Sequence, residues 1–357
     1  MSNFSRRDTL RLLTAALAAG AAGTALPARA AGGKITVLNW NGYGTDEAWS
    51  LKLFQEATGI EVVHDYFSSE SEELTKLRTN PGAYDVVLLN SARVSTAANE
   101  GLIVPADLPQ ISNAADVNPD LLANPNFTID GKLYAVPWVW GMTAIAMREG
   151  AAKPASYNDL AGEAYKDRFA MDDDAMIAVA MAALMTGQDM NDPKDMDAVK
   201  AALKSLKPNI KMLWSSEDQW NKSFAASEFD VSMFWSGGAV RSKRNAKLPV
   251  EFVVPKEGAI VWVDGLTIAA GAPNPEGAAA FINWMIDPKF YVEWATKVGA
   301  PASSNSKALA ALPADDLSAQ VHKPEYMISS NVMAAMPDDR REAFNNAWEE
   351  VKAFYAE

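Results

Sequence analysis

The sequence predicts an α/β protein built as two lobes, on three observations. From Gly33 onward short β-rich runs alternate with helical patterns, the signature of a sheet with crossover helices. The 357 residues suffice for two domains that each bury a core. No repeat, low-complexity tract or flexible linker separates them, so lobes joined by several chain crossings fit better than two beads on a string.

Lys34–Trp40 reads as the first strand. Thr45 is placed to cap a helix with Asp46 and Glu47 in its first turn, Trp49, Leu53 and Phe54 on its apolar stripe and Gly59 at its end. Ile60–Tyr66 is the next strand and Glu72–Thr79 a short helix. Tyr84–Leu89 is the continuous apolar run that a buried parallel strand needs. Leu133–Trp138 and Thr143–Met147 read as strands on either side of Gly141, a crossing point between lobes. Helices follow at Asp174–Met185, Asp195–Lys207 and Glu217–Ala226. Strands lie near Phe229–Trp235, Glu251–Val254, Ile260–Val263 and Leu266–Ala270. Asn274-Pro275-Glu276 opens a helix with cap, first-turn proline and first-turn acid. Asp287-Pro288 breaks it, a second helix runs to Val298, and Asp338–Glu357 is one amphipathic helix.

The first 30 residues read as an address. Arg6-Arg7, an Ala-rich run from Leu12 to Leu26 and the small-residue site Ala28-Arg29-Ala30 form a Tat-type secretory signal, cleaved near Ala30 for a periplasmic protein. The apolar run is shorter than the roughly 20 residues of a membrane span. The whole chain carries a net charge of −13; removing the signal takes away four arginines and one aspartate and leaves −16. Such an acidic surface repels nucleic acid and favours a cationic solute. Without cysteine there is no disulfide, thiolate nucleophile, Cys-ligated metal or lipoprotein anchor, and two histidines make a His-rich metal site improbable. No cofactor or metal is expected.

Four apolar strands end in an aromatic residue with glycine close behind: Val37–Trp40, Ala135–Trp140, Val231–Trp235 and Ile260–Val263. Ligands of open α/β sheets bind beyond the carboxyl ends of the strands, and glycine lets backbone approach them closely. Tryptophans there form a flat-walled box for alkyl chains and cations. The matching carboxylates are Asp264, after Trp262, and the triplet Asp172-Asp173-Asp174, whose bland role is helix capping. Trp49, Trp284, Trp294 and Trp348 fall on helical patterns and are assigned to the core. The chain has no phosphate loop, dinucleotide fingerprint, HExxH or G-x-S-x-G elbow. Trp235-Ser236-Gly237-Gly238 is half an elbow with Phe234 in the wrong place, and neither His64 nor His322 has an evident serine partner.

Trp40–Tyr43, Tyr84–Val87, Val136–Gly141, Met233–Gly237 and Pro255–Asp264 together resemble the spermidine/putrescine-type solute-binding proteins of ABC importers, in order over nearly the whole chain after the signal. The resemblance implies a type II periplasmic-binding-protein fold, with lobe one as 31–140 plus 263–307 and lobe two as 141–262 plus 308–357. It implies a non-enzymatic monomer that closes on a polyamine-like solute and delivers it to an inner-membrane permease and ATPase. Trp40, Tyr43, Trp235 and Trp262 match the aromatic walls, Ser91 the serine after the third strand, Asp264 one acid and Asp173 or Asp174 the acid from the other lobe. Gly42, Ala92 and Ile177 stand where the family carries an acid, an aromatic and an acid. These losses favour a putrescine-like diamine over spermidine and leave open an opine-like, amino-acid-like or aminophosphonate solute. An anionic group would need Arg93, otherwise a solvated helix-start residue. The competing class is an exported carbohydrate-active enzyme with two carboxylates in an aromatic cleft.

Overall fold

The computed structural model describes residues 32–323, 326 and 331–357, so the secretory signal expected over residues 1–30 lies outside the described residues. Its main sheet has twelve strands in two parallel halves. In the first half Gly33–Trp40 runs parallel to Ile60–Phe67 on one side and Val86–Asn90 on the other. In the second, Phe169–Asp172 runs parallel to Ile210–Trp214 and Val231–Trp235. Val86–Leu89 is almost fully buried, as its unbroken apolar run requires.

Two long antiparallel strands, Ala135–Arg148 and Ile260–Ala269, join the halves. Each was expected as two short strands, because Gly141 and the Asp264-Gly265 pair read as breaks. Both stay continuous because they lie in the middle of the sheet. Gly141 pairs with Trp262, and a bulge between Asp264 and Gly265 absorbs the irregularity. Apolar packing changes hands along these strands. Ala144 and Val261 belong to the first core, whereas Ile145 and Ile260 belong to the second. A third cluster, built on Trp214, Trp220, Phe224 and Phe234, backs the second half.

The expected helices form with shifts at their ends, and Ser236–Arg244 is a further helix that the sequence reading did not include. Asp174 accepts from the Ile177 backbone N–H and caps Ala175–Met185, and Asn274 caps Pro275–Met285. Thr45 does not cap the first helix, which spans Ala48–Thr58. Its hydroxyl is taken instead by Asn39 Nδ2 at 2.8 Å and lies 3.2 Å from His64 Nε2. The short helix after the second strand begins at Glu70, with Ser69 as its cap. Trp294 and Trp348 are buried in the core, while Trp49 and Trp284 are half-buried against it.

Candidate functional site

A cleft of ≈ 670 Å³ opens between the two halves, beyond the carboxyl ends of parallel strands from both. Trp40 and Asn90 end strands of the first half, and Asp172 and Trp235 end strands of the second. All four line the cleft, with Trp262 and Asp264 from the joining strand.

Asp264 sits on the bulge that turns its side chain out of the ladder. Gly265 beside it has no room for a Cβ, which would meet the Ala135 Cβ at 2.8 Å. The Tyr43 hydroxyl donates to Asp264 Oδ2 at 2.9 Å and Asn90 Nδ2 donates to Oδ1 at 3.0 Å. These bonds fix the carboxyl and leave further lone pairs for a ligand. Burial nevertheless pushes Asp264 up to about 7. Burial, with Asp264 beside it, also holds the Tyr43 hydroxyl protonated. Tyr43 is itself held edge-on by the stacked pair Trp138 and Trp294. Gly44 has φ +84°, and a Cβ there would come 2.4 Å from the Trp294 ring.

Trp40, Trp235 and Trp262 present partly exposed rings to the cleft. Trp40 packs edge-on against Phe67, and Trp235 packs edge-on against Trp214 with ring centres 5.0 Å apart. Trp262 packs against Gly141, where a Cβ would come within 2.2 Å of its Cζ2. Gly141→Ala should therefore push the Trp262 ring into the cleft. Overpacking of this kind costs about 1–3 kcal/mol. We expect a lower unfolding temperature and roughly tenfold weaker ligand binding, read by calorimetry; an unchanged affinity would remove Trp262 from the ligand wall.

The aspartate triplet divides by role. Asp173 Oδ1 accepts from Trp348 Nε1 at 2.8 Å and pairs with Lys352 Nζ at 3.1 Å, so it docks the Asp338–Ala356 helix. Asp174 spends Oδ1 on its cap and opens onto the cleft, where the surrounding walls push its carboxyl up. Asp172 is buried in the same cleft wall and is raised to about 8, first by burial and then by its two neighbours.

The family model for bacterial extracellular solute-binding proteins matches residues 49–325. The chain belongs to that family. A curated relative, the spermidine/putrescine-binding periplasmic protein of Salmonella typhimurium, is 34% identical over 293 residues, covering 80% of this chain and 82% of its own length. The putrescine-binding periplasmic protein SpuD of Pseudomonas aeruginosa is 25% identical, covering 96% of this chain and 97% of its own. Among solved structures, a spermidine/putrescine ABC transporter substrate-binding protein, PotD of Streptococcus pneumoniae, superposes with a TM-score of 0.79 at 23% identity. It covers 90% of this chain and 99% of that one. The type II periplasmic-binding-protein fold expected from the sequence is the fold observed.

In this solute-binding protein one expected residue does not reach the cleft. Ser91 is fully buried and turns its hydroxyl to the Met333 carbonyl at 3.4 Å. Side chains alternate at the strand end, so Asn90 occupies the rim instead. Trp138 and Trp140, on the fourth aromatic strand end, are buried in the core and do not line the cleft. Arg93 is not solvated: it is 8% exposed and donates from Nε to Glu70 Oε2 at 2.7 Å. Sequence reasoning missed Asn90, Glu70, Glu73, Arg241 and Arg341 in the cleft wall. Arg241 is spent on Glu217, and Arg341 on Asp338 and the Met336 carbonyl.

His322 has the serine partner that sequence reading did not find. Its Nδ1 lies 3.0 Å from the Ser318 carbonyl and must carry the proton, so Nε2 accepts from the Ser236 hydroxyl at 2.9 Å. Ser236 also accepts from the Met142 N–H. Both residues are buried and neither lines the cleft, so the pair ties the chain after Leu317–Val321 to the joining strand. Burial holds His322 neutral down to about 4.

Proposed function

We propose that this protein is a non-enzymatic periplasmic receptor of an ABC transporter, capturing a putrescine-like diamine and handing it to a membrane permease and its ATPase. The carrying observation is the coincidence, in one cleft, of three tryptophan rings with acids from both halves, Asp264 and Asp174. Each bound ammonium must replace its water with carboxylates and π faces, since an unpaired buried charge costs several kcal/mol. In this reading Trp235 and Trp262 sandwich the aliphatic chain, Trp40 and Tyr43 close its side, and Asp264 and Asp174 hold opposite ends. Asn90 takes the place expected for Ser91, and Asp173 serves the C-terminal helix.

The relatives named for spermidine and putrescine support the solute class, and their periplasmic names support the location. Export by the Tat route, cleavage near Ala30 and a monomeric receptor complete the proposal. The lobes are proposed as 31–140 plus 263–307 and 141–262 plus 308–357; the change of core at Ala144/Ile145 and Ile260/Val261 supports a crossing within a few residues of those limits. Ligand binding shifts an open–closed equilibrium by bending these joining strands.

A second reading rests on the arginines in the cleft wall: an amino-acid-like solute whose carboxylate would take Arg93 from Glu70. Thermal unfolding against amines, amino acids, opines and aminophosphonates separates the two. A ligand at a hundred times its Kd adds about 2.7 kcal/mol, a shift of a few degrees. A rise with putrescine is expected; a rise only with zwitterions or anions would overturn the diamine reading and keep the receptor.

A further inference from the structure

The Glu70–Thr79 helix carries three acids in its first turn, and they are not equivalent. Glu70 pairs with Arg93, and Glu72 Oε2 accepts from both the Ser68 N–H and hydroxyl. Glu73 is 1% exposed, and neither of its carboxyl oxygens has a hydrogen-bond partner. It lines the same cleft as Trp40, Tyr43, Asn90 and Asp264. A buried carboxyl left without a partner costs several kcal/mol if ionised and wastes its polarity if neutral. Nothing in the packing of Leu74 and Leu77 beside it calls for an acid. The Thr143 hydroxyl, on the joining strand in the cleft wall, is likewise buried and unpartnered. The cleft thus holds polar groups that the protein itself does not satisfy.

We propose that Glu73 is a ligand anchor, taking one ammonium of the solute together with Asp264, so that the first half of the molecule binds that end with two acids rather than one. The inference rests on the cation-receptor reading above. The charged groups around Glu73 fit it: Asp264 and Glu70 are the like charges near it and Arg93 is the opposing one. Burial and those two acids push the Glu73 carboxyl up, toward its protonated form. An arriving ammonium reverses that balance, and Glu73 gives up its proton to solvent as the ion pair forms. Two carboxylates on one ammonium also discriminate. They favour a primary amine, with three protons to share, over a quaternary ammonium, which has none to donate.

The test is calorimetric titration of putrescine into wild type and Glu73→Gln at pH 7.5, in buffers of different ionisation enthalpy, which counts protons released. Glu73→Gln should keep the ligand-free unfolding temperature within a few degrees, bind putrescine at least tenfold more weakly and release fewer protons. Should Gln destabilise the fold, Glu73→Met carries the same readout with an apolar group of similar length. Equal affinity and equal proton release in wild type and variant would make Glu73 a neutral wall residue and overturn the inference while leaving the receptor reading intact. A wild type that binds no amine would overturn the cation reading, and the Glu73 anchor with it.

Discussion

Asp264→Asn lowers the affinity for putrescine at least a hundredfold while leaving the ligand-free protein at least as stable as wild type at pH 8. The two halves of this expectation come from the same environment. Breaking one partner of a buried ion pair costs about 3–5 kcal/mol, because the ammonium is left desolvated without its counter-charge. Yet in the empty cleft that carboxyl is a burden: burial raises it to about 7, so holding it ionised at pH 8 works against folding. Asparagine can still accept from Tyr43 and gives up the bond from Asn90 Nδ2, but it removes the charge, whose relief outweighs that one bond. Calorimetry and thermal unfolding on the same sample check both. A loss of stability equal to the loss of binding would mean that Asp264 serves the fold instead of the ligand.

Affinity for a diamine falls about tenfold or more between pH 8 and pH 6. In the free protein Asp264 is raised to about 7 and Asp172 to about 8, and burial also raises Asp174 and Glu73. An ammonium beside these acids lowers them, so binding expels protons. It is strongest above the free-state values and weakens as pH falls through them, by about one power of ten per unit for each coupled acid. The ligand-free fold behaves oppositely. Its acids hold protons to higher pH than in the unfolded chain, where an aspartate has its ordinary value near 3.8, so their contribution to stability is lost as pH rises through about 7 to 8. His322, lowered to about 4, adds stability that is lost as pH falls through that value. Titrations at three pH values, with the unfolding temperature followed in parallel, test the pair of trends. An affinity flat from pH 6 to 8 would mean that these acids do not meet the ligand.

The parallel strands were legible because burial on both faces leaves a continuous apolar run, and Val86–Leu89 is the plainest case. The long joining strands were less so. A glycine and an acid interrupt their pattern, and only the structure shows that Gly141 makes room for Trp262 and that the bulge aims Asp264. The tryptophan strand ends divided according to which side of the sheet each ring faces. Trp40, Trp235 and Trp262 reach the cleft, while Trp138 and Trp140 are core. Sequence distance hid the Ser236–His322 pair.

Glu73 was hidden by its neighbours, since Glu70 to Glu73 reads as a solvated acidic turn. One signal was available: Glu70, Glu73, Leu74 and Leu77 share a helix face, and Glu73 falls on it where the period asks for an apolar residue. The role of Asp173 was unreadable for another reason. Its partners, Trp348 and Lys352, lie at the far end of the chain.

The most direct test of the cation cleft is a titration series that holds chain length fixed and changes only charge: putrescine, γ-aminobutyrate and succinate at pH 8. The acids and tryptophans predict putrescine tightest by at least tenfold over γ-aminobutyrate, with succinate unbound. Tighter binding of γ-aminobutyrate or succinate would contradict the account and assign the solute to Arg93.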